Sequence, residues 1–212
     1  MELENFIQSL TEEQKQRLED LGFTPEEFVE AYEDHGSDYR DEHPSVYCGT
    51  YGKYNDGNLY GQWIDLTTFD SYDDFADYCR ALHADEEDPE LMFQDYENLP
   101  REFYDECLSR KDFDRIREYI ELYEDNNDKE AVDAWLKICC TPSDMGSFSD
   151  AYQGKWDSEE DFAEYIFNEC YCDSLRHMPD NIRNYIDYKA FARDIFASDY
   201  TFEDGHVFCN NY

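Results

Sequence analysis

Val46-Tyr47-Cys48-Gly49-Thr50-Tyr51-Gly52-Lys53-Tyr54 is followed by Asn55-Asp56-Gly57-Asn58 and then by Leu59-Tyr60-Gly61-Gln62-Trp63-Ile64-Asp65-Leu66. Both flanks are rich in aromatic and β-branched residues, which suit a pleated, half-buried surface. Between them, Asp56-Gly57 supplies residues that tolerate the positive φ of a tight hairpin turn. Residues 46–54 and 59–66 are therefore expected to form a β-hairpin. Further on, Ser71-Tyr72-Asp73-Asp74 resembles a capping box. It opens a helix with Phe75, Cys79 and Leu82 on one face and Asp73, Asp74 and Asp77 toward water. After the acidic run at 85–88, residues 91–96 read as a returning strand, with Leu91, Met92 and Phe93 as core or domain junction rather than target contacts. Residues 45–100 form a small α+β unit in this reading.

Upstream, residues 1–36 read as two helices. Thr11-Glu12-Glu13-Gln14 caps the first, and Gly22 ends it. Thr24-Pro25-Glu26-Glu27 caps the second, with proline in the first helical position. Phe28, Val29 and Tyr32 give that helix an apolar stripe, and Gly36 is a plausible stop. Residues 37–44 are polar and read as a linker, so 1–44 is a helical extension.

Downstream, residues 101–140 read as helical throughout, within a helical domain at 101–145, with Phe113, Ile116, Ile120 and Tyr123 on one face and Val132, Trp135, Leu136 and Cys139 on another. Pro142 and Gly146 mark its exit. Residues 146–212 return to α+β structure. There, 148–156 reads as a strand, Ser158-Glu159-Glu160-Asp161 caps a helix, and 188–196 reads as a second helix. Residues 200–202 and 206–209 flank the hairpin turn Glu203-Asp204-Gly205.

The chain has 212 residues, with 54 Asp and Glu against 17 Lys and Arg, a net charge of −37. Disordered acidic chains are poor in aromatics, whereas this one carries 15 Phe, 19 Tyr and 3 Trp. It therefore has the material for packed cores. The charge is not a tail: segments 1–44, 45–100, 101–145 and 146–212 carry −11, −11, −6 and −9. Such a chain is expected to bind neither nucleic acid, through phosphate neutralisation, nor an anionic membrane. A basic DNA-binding groove is the surface it matches. The eight cysteines contain no C-x-x-C pair and read as reduced, mostly buried thiols. Met1-Glu2-Leu3-Glu4-Asn5 lacks a basic segment and an apolar segment, so no signal peptide is expected. No apolar run approaches membrane-spanning length, and the expected location is the cytoplasm.

The acidic residues also oppose local stability. Asp73 and Asp77, Glu121 and Asp125, and Glu160 and Glu164 are each four apart, a like-charge spacing that costs a helix about 0.2–0.5 kcal/mol. A solvated face explains any one of them, but not their sum. Laid out at the charge density of duplex DNA, 37 charges would match about 60 Å of helix axis, and a dimer about 120 Å. An elongated protomer is expected on that ground.

Catalysis has little support. With so many carboxylates, a close Asp/Glu pair carries no information, and G-x-S-x-G, GxGxxG and Walker A patterns are absent from the sequence. No cofactor or metal is expected. Cys170-x-Cys172 with His177 lacks the spacing of a standard zinc module and reads as buried thiols near a helix end. Asp125-Asn126-Asn127-Asp128-Lys129-Glu130 lacks the glycine of a calcium loop and reads as a helix–helix turn. The remaining rival is an acidic adaptor for another basic protein, such as a nucleoid protein.

Several stretches resemble the ArdA antirestriction family. Leu82-His83-Ala84-Asp85-Glu86-Glu87-Asp88-Pro89-Glu90-Leu91-Met92-Phe93-Gln94-Asp95-Tyr96 is similar to its antirestriction motif, and the hairpin at 46–57 to its opening strand and turn. Residues 151–161 and 185–194 resemble its C-terminal part. The similarity runs over about 45–212 and leaves 1–44 unmatched. It implies an elongated three-part protomer that dimerises through its C-terminal part. It also implies surface carboxylates standing in for the phosphates of bent DNA. The implied partner is a type I restriction–modification enzyme, engaged at its specificity and methyltransferase subunits. The candidate phosphate-mimicking residues are Asp73, Asp74, Asp77, Asp85, Glu86, Glu87, Asp88, Glu90 and Asp95 in the first segment, Glu118, Glu121, Glu124 and Asp125 in the second, and Glu159, Glu160 and Glu164 in the third.

Overall fold

A computed structural model describes residues 7–37, 43–126, 128–138 and 146–211. Parts of the expected linker (38–42), Asn127 of the expected turn, Cys139, Cys140, Pro142 and the side chain of Tyr123 lie outside the described residues. The fold is mixed α+β and divides into two compact units, Met1–Ile120 and Glu121–Tyr212.

The first unit begins with helices α1 (Glu12–Asp20) and α2 (Pro25–Asp34), each started by a complete capping box, Thr11 with Gln14 and Thr24 with Glu27. Strand β1 (Ser45–Thr50) follows, then a helical turn α3 (Tyr51–Asn55), β2 (Gln62–Asp65), α4 (Tyr72–Leu82) and β3 (Leu91–Glu97). The three strands form an antiparallel sheet in the order β2-β1-β3. Helix α4 starts at Ser71, whose side chain accepts the amide of Asp74. It buries Phe75, Tyr78, Cys79 and Leu82, and Phe75 stacks on Phe93 of β3 at 5.6 Å. Met92 and Phe93 are buried core, as their apolar run predicts, whereas Leu91 is only half-buried.

The N-terminal helices are built into this unit. Phe28 is fully buried and stacks on Tyr78 at 5.9 Å, while His35 stacks on Phe69 at 4.1 Å. Gly36 bridges Ile64, the Ser37 amide donates to the Trp63 carbonyl (2.9 Å), and the Asp65 amide donates to His35 (2.9 Å). These bonds occupy the outer edge of β2, which would otherwise present unpaired backbone groups. Buried Gln62 joins the layers: it donates to the Tyr32 carbonyl (2.7 Å) and accepts from the Tyr78 hydroxyl.

The hairpin differs from the expected one. Residues 51–54 do not extend the strand, because the Thr50 hydroxyl accepts the Lys53 amide (3.2 Å) and starts a helical turn. The chain returns through Gly57 at φ 75° and passes Gly61, where a Cβ would lie 2.2 Å from the Cys48 carbonyl. Only glycine permits that approach.

Helix α5 (Arg110–Asn126) buries Phe113, Ile116 and Ile120, and the boundary between units falls within it. The helical reading of 101–140 needs one correction: residues 104–109 are irregular. In the second unit come α6 (Lys129–Ile138), α7 (Phe148–Ala151), β4 (Tyr152–Lys155), α8 (Glu159–Cys170), α9 (Cys172–Arg176), α10 (Asp180–Arg183), α11 (Tyr188–Ile195), β5 (Tyr200–Glu203) and β6 (His206–Cys209). The expected strand at 148–156 is thus a helical turn followed by a four-residue strand. Strand β6 is central in the order β4-β6-β5. Successive side chains alternate faces. Val207 therefore packs with Phe162, Ala192 and Ile195, while Phe208 meets Trp135 at 5.2 Å. The β5–β6 turn is the expected one, with Asp204 and Gly205 at φ 48° and 85°.

The cysteines depart from the expectation of burial. Cys48 and Cys79 are buried, but Cys107, Cys170 and Cys172 are exposed. Cys170 and Cys172 fall at the junction of two surface helices, where no core covers them. No helix among the described residues is long and apolar enough to cross a membrane.

Candidate functional site

The centre of the motif segment is a lysine. Thr50 both ends β1 and caps α3, and this places Lys53 under the loop that follows α4. The Lys53 side chain is 8% exposed. Its ammonium donates to Asp85 Oδ1 (2.7 Å), Glu86 Oε1 (2.7 Å) and His83 Nδ1 (3.0 Å). An ammonium can only donate, so His83 Nδ1 accepts and the ring proton sits on Nε2. The Thr50 hydroxyl donates to Glu86 Oε1 at 2.7 Å, and a Cβ at Gly52 would lie 2.9 Å from Glu86 Oε2. A buried ammonium is tolerated only when paired and hydrogen-bonded, and here two carboxylates and an imidazole do both.

The same contacts set the acidity of the cluster. Burial pushes the Glu86 carboxyl up, but the hydrogen bonds from Lys53 and Thr50 outweigh it and hold the group below its ordinary value. Burial likewise raises the Cys48 thiol, yet Cys79, His83 and the charge of Lys53 bring it below the ordinary thiol range. His83, Asp85 and Glu86 have donor atoms close enough together for a metal ion. The Lys53 ammonium, within 3.0 Å of all three, already holds that position with a positive charge.

The loop is also held from outside. Gln14 donates to the Asp85 carbonyl (2.9 Å) and Arg17 to the Ala84 carbonyl (3.3 Å), both from α1. The Tyr51 amide donates to the Glu90 carbonyl at 3.0 Å. Between these ties, Glu87, Asp88 and Glu90 are exposed, and no ion pair holds them among the described residues.

The other predicted carboxylates fall on helix surfaces. Asp73 pairs with Arg110, whose guanidinium lies 4.9 Å from the Tyr72 ring centroid. Asp74 accepts the Ser71 hydroxyl (2.7 Å), and Asp77 pairs with Arg80 (2.8 Å). Asp95 is exposed on β3 and accepts the Tyr96 amide at 2.9 Å. Glu118 is exposed in the first-unit part of α5, and Glu121, Glu124 and Asp125 in its second-unit part. Glu159, Glu160 and Glu164 are exposed on α8. Glu159 and Glu160 also line a cleft of about 680 Å³ with Ser158, Lys189 and Arg193. Ser158 is committed there as a helix cap, donating to Asp161 Oδ2 and accepting the Asp161 amide.

Only Asp85 and Glu86 are drawn into a common cluster. Lys53, His83 and Thr50, which assemble it, were not singled out by their sequence. The available signal was slight: Lys53 and Arg80 are the only basic residues of 45–100.

Two comparisons with known proteins bear on this geometry. No curated protein matches the chain. The family model described as Antirestriction protein (ArdA) matches residues 46–208. That span takes in the Lys53 cluster, α5 and the carboxylates of α8, and leaves out α1 and α2. The match covers well over half of the sequence, and the chain belongs to the ArdA antirestriction family.

Proposed function

We propose that this protein acts as a structural imitation of DNA: as a homodimer, it occupies the DNA-binding groove formed by the specificity and methyltransferase subunits of a type I restriction–modification enzyme. It acts by occupancy, with no bond made or broken, in the cytoplasm where such enzymes meet DNA.

The observation that carries the reading is how charge is disposed on the folded chain. Cations are spent internally: Lys15, Arg17, Lys53, Arg80, Arg110, Lys129, Lys137, Lys155, Arg176 and Arg193 each pair with an acidic side chain. Even if every one of the 17 cations neutralised a carboxylate, 37 of 54 would remain. Fourteen of the 16 predicted carboxylates lie outside the Lys53 cluster, almost all of them exposed. A folded body with that charge repels itself, which a basic partner would relieve.

The test is competition. A purified type I methyltransferase core bound to labelled DNA is titrated with the protein. The expected result is loss of the DNA complex at low molar ratio, with affinity that weakens as salt rises. If the complex stays intact while a histone-like protein is stripped from DNA, the chain is an acidic adaptor of another kind.

A further inference from the structure

We infer that Lys53 divides the acidic run at 85–90 into two halves with different work: Asp85 and Glu86 shape the loop from within, and Glu87, Asp88 and Glu90 meet the basic partner. The inference rests on the DNA-imitation reading for its second half only.

The division follows from where the two groups of carboxylates point their charge. Asp85 and Glu86 each lie 2.7 Å from an ammonium that is 8% exposed. Their side chains are 32% and 25% exposed, so much of their field is cancelled before it reaches a partner. Glu86 has a second anchor in Thr50, the residue that also starts the helical turn bearing Lys53. Strand β1, turn α3 and the loop are thereby tied at one point. The loop backbone is fixed beside that point by Gln14 and Arg17 and at its far end by Tyr51. What remains outside these ties is the outward face of Glu87, Asp88 and Glu90.

A loop already ordered in its bound shape loses less freedom on association. Lys53 is thus a positioning residue: it strengthens binding by holding other carboxylates in place, although its own charge has the wrong sign for a basic groove. A simple count of charges predicts the opposite, that removing a lysine from an acidic inhibitor improves it.

The test uses four full-length variants: Lys53→Met, Lys53→Arg, the double Asp85→Asn/Glu86→Gln, and the triple Glu87→Gln/Asp88→Asn/Glu90→Gln. Amide hydrogen exchange at 84–90 reads loop order, and affinity for the purified type I methyltransferase core is measured across a salt series. Lys53→Met and the double variant are expected to speed exchange about tenfold or more and to weaken binding, with the salt dependence parallel to that of the parent. Lys53→Arg restores both. The triple variant is expected to leave exchange unchanged, weaken binding about tenfold at low salt and flatten its salt dependence. The inference is overturned if Lys53→Met leaves exchange unchanged or tightens binding. It is equally overturned if the double variant flattens the salt dependence as the triple does. If the parent chain does not bind the core at all, the DNA-imitation reading fails, and the exchange data still decide whether Lys53 orders the loop. Should Lys53→Met not fold, Lys53→Arg and the two carboxylate variants still decide the division.

Discussion

Replacing Phe28 with alanine tests whether the N-terminal helices are part of the folding unit or an appendage to it. Phe28 is completely buried, with its ring 5.9 Å from Phe23, 5.9 Å from Tyr78 and 6.4 Å from Tyr32. Losing the ring forfeits about 1.5–3 kcal/mol of transfer free energy, and the cavity left behind raises typical Phe→Ala costs to about 3–5 kcal/mol. Collapse is hindered on one side, because the Tyr78 hydroxyl is held by Gln62. We therefore expect a loss of about 3–4 kcal/mol in the first unit. Urea unfolding followed by far-UV circular dichroism reads it directly. With a slope of about 1–3 kcal/mol per molar urea, the midpoint falls by about 1–4 M. Glu30→Gln on the exposed face of the same helix should stay within about 0.5 kcal/mol of the parent. A midpoint shift below about 0.3 M for Phe28→Ala would refute the view that α2 is structural.

Three further outcomes follow from the geometry. Glu86 is held below its ordinary carboxyl value of 4.5, so its contribution to stability is complete above that value and is lost as pH falls through the lower, folded value. Melting curves of the parent and Glu86→Gln should differ near neutral pH and converge as pH falls well below 4.5, and a gap that widens on acidification would contradict the pairing. Raising salt from about 0.02 to 0.5 M should raise the melting temperature, since screening relieves more self-repulsion than it costs in surface ion pairs; a fall would show that the ion pairs dominate. Brief iodoacetamide treatment of the native protein, followed by peptide mapping, should label Cys107, Cys170 and Cys172 ahead of buried Cys48 and Cys79.

Local chemistry was the most legible part of the sequence. The four cap signals at Thr11, Thr24, Ser71 and Ser158 each start a helix where they stand, because a cap is satisfied within three residues of itself. The turn at Asp204-Gly205 is legible for the same reason. The helical turn after Thr50 was not. Its aromatic residues suit any half-buried surface, and the cap at Thr50 is hidden inside a run of strand formers. The Lys53 cluster and the docking of α1 and α2 were also illegible, since both rest on contacts between residues 30 or more positions apart. Nothing in the spacing of Gln14, Lys53 or Tyr78 announces those partners. The acidic candidates were visible as charges, but their division into paired and presented groups is a property of the folded chain.

The most direct measurement is a structure of this protein bound to a type I methyltransferase core. The account predicts Glu87, Asp88, Glu90 and the acidic faces of α5 and α8 seated on the lysines and arginines that otherwise hold DNA phosphates, with the groove closed to DNA. A chain docked outside that groove, or a complex that still accepts a duplex, would contradict it.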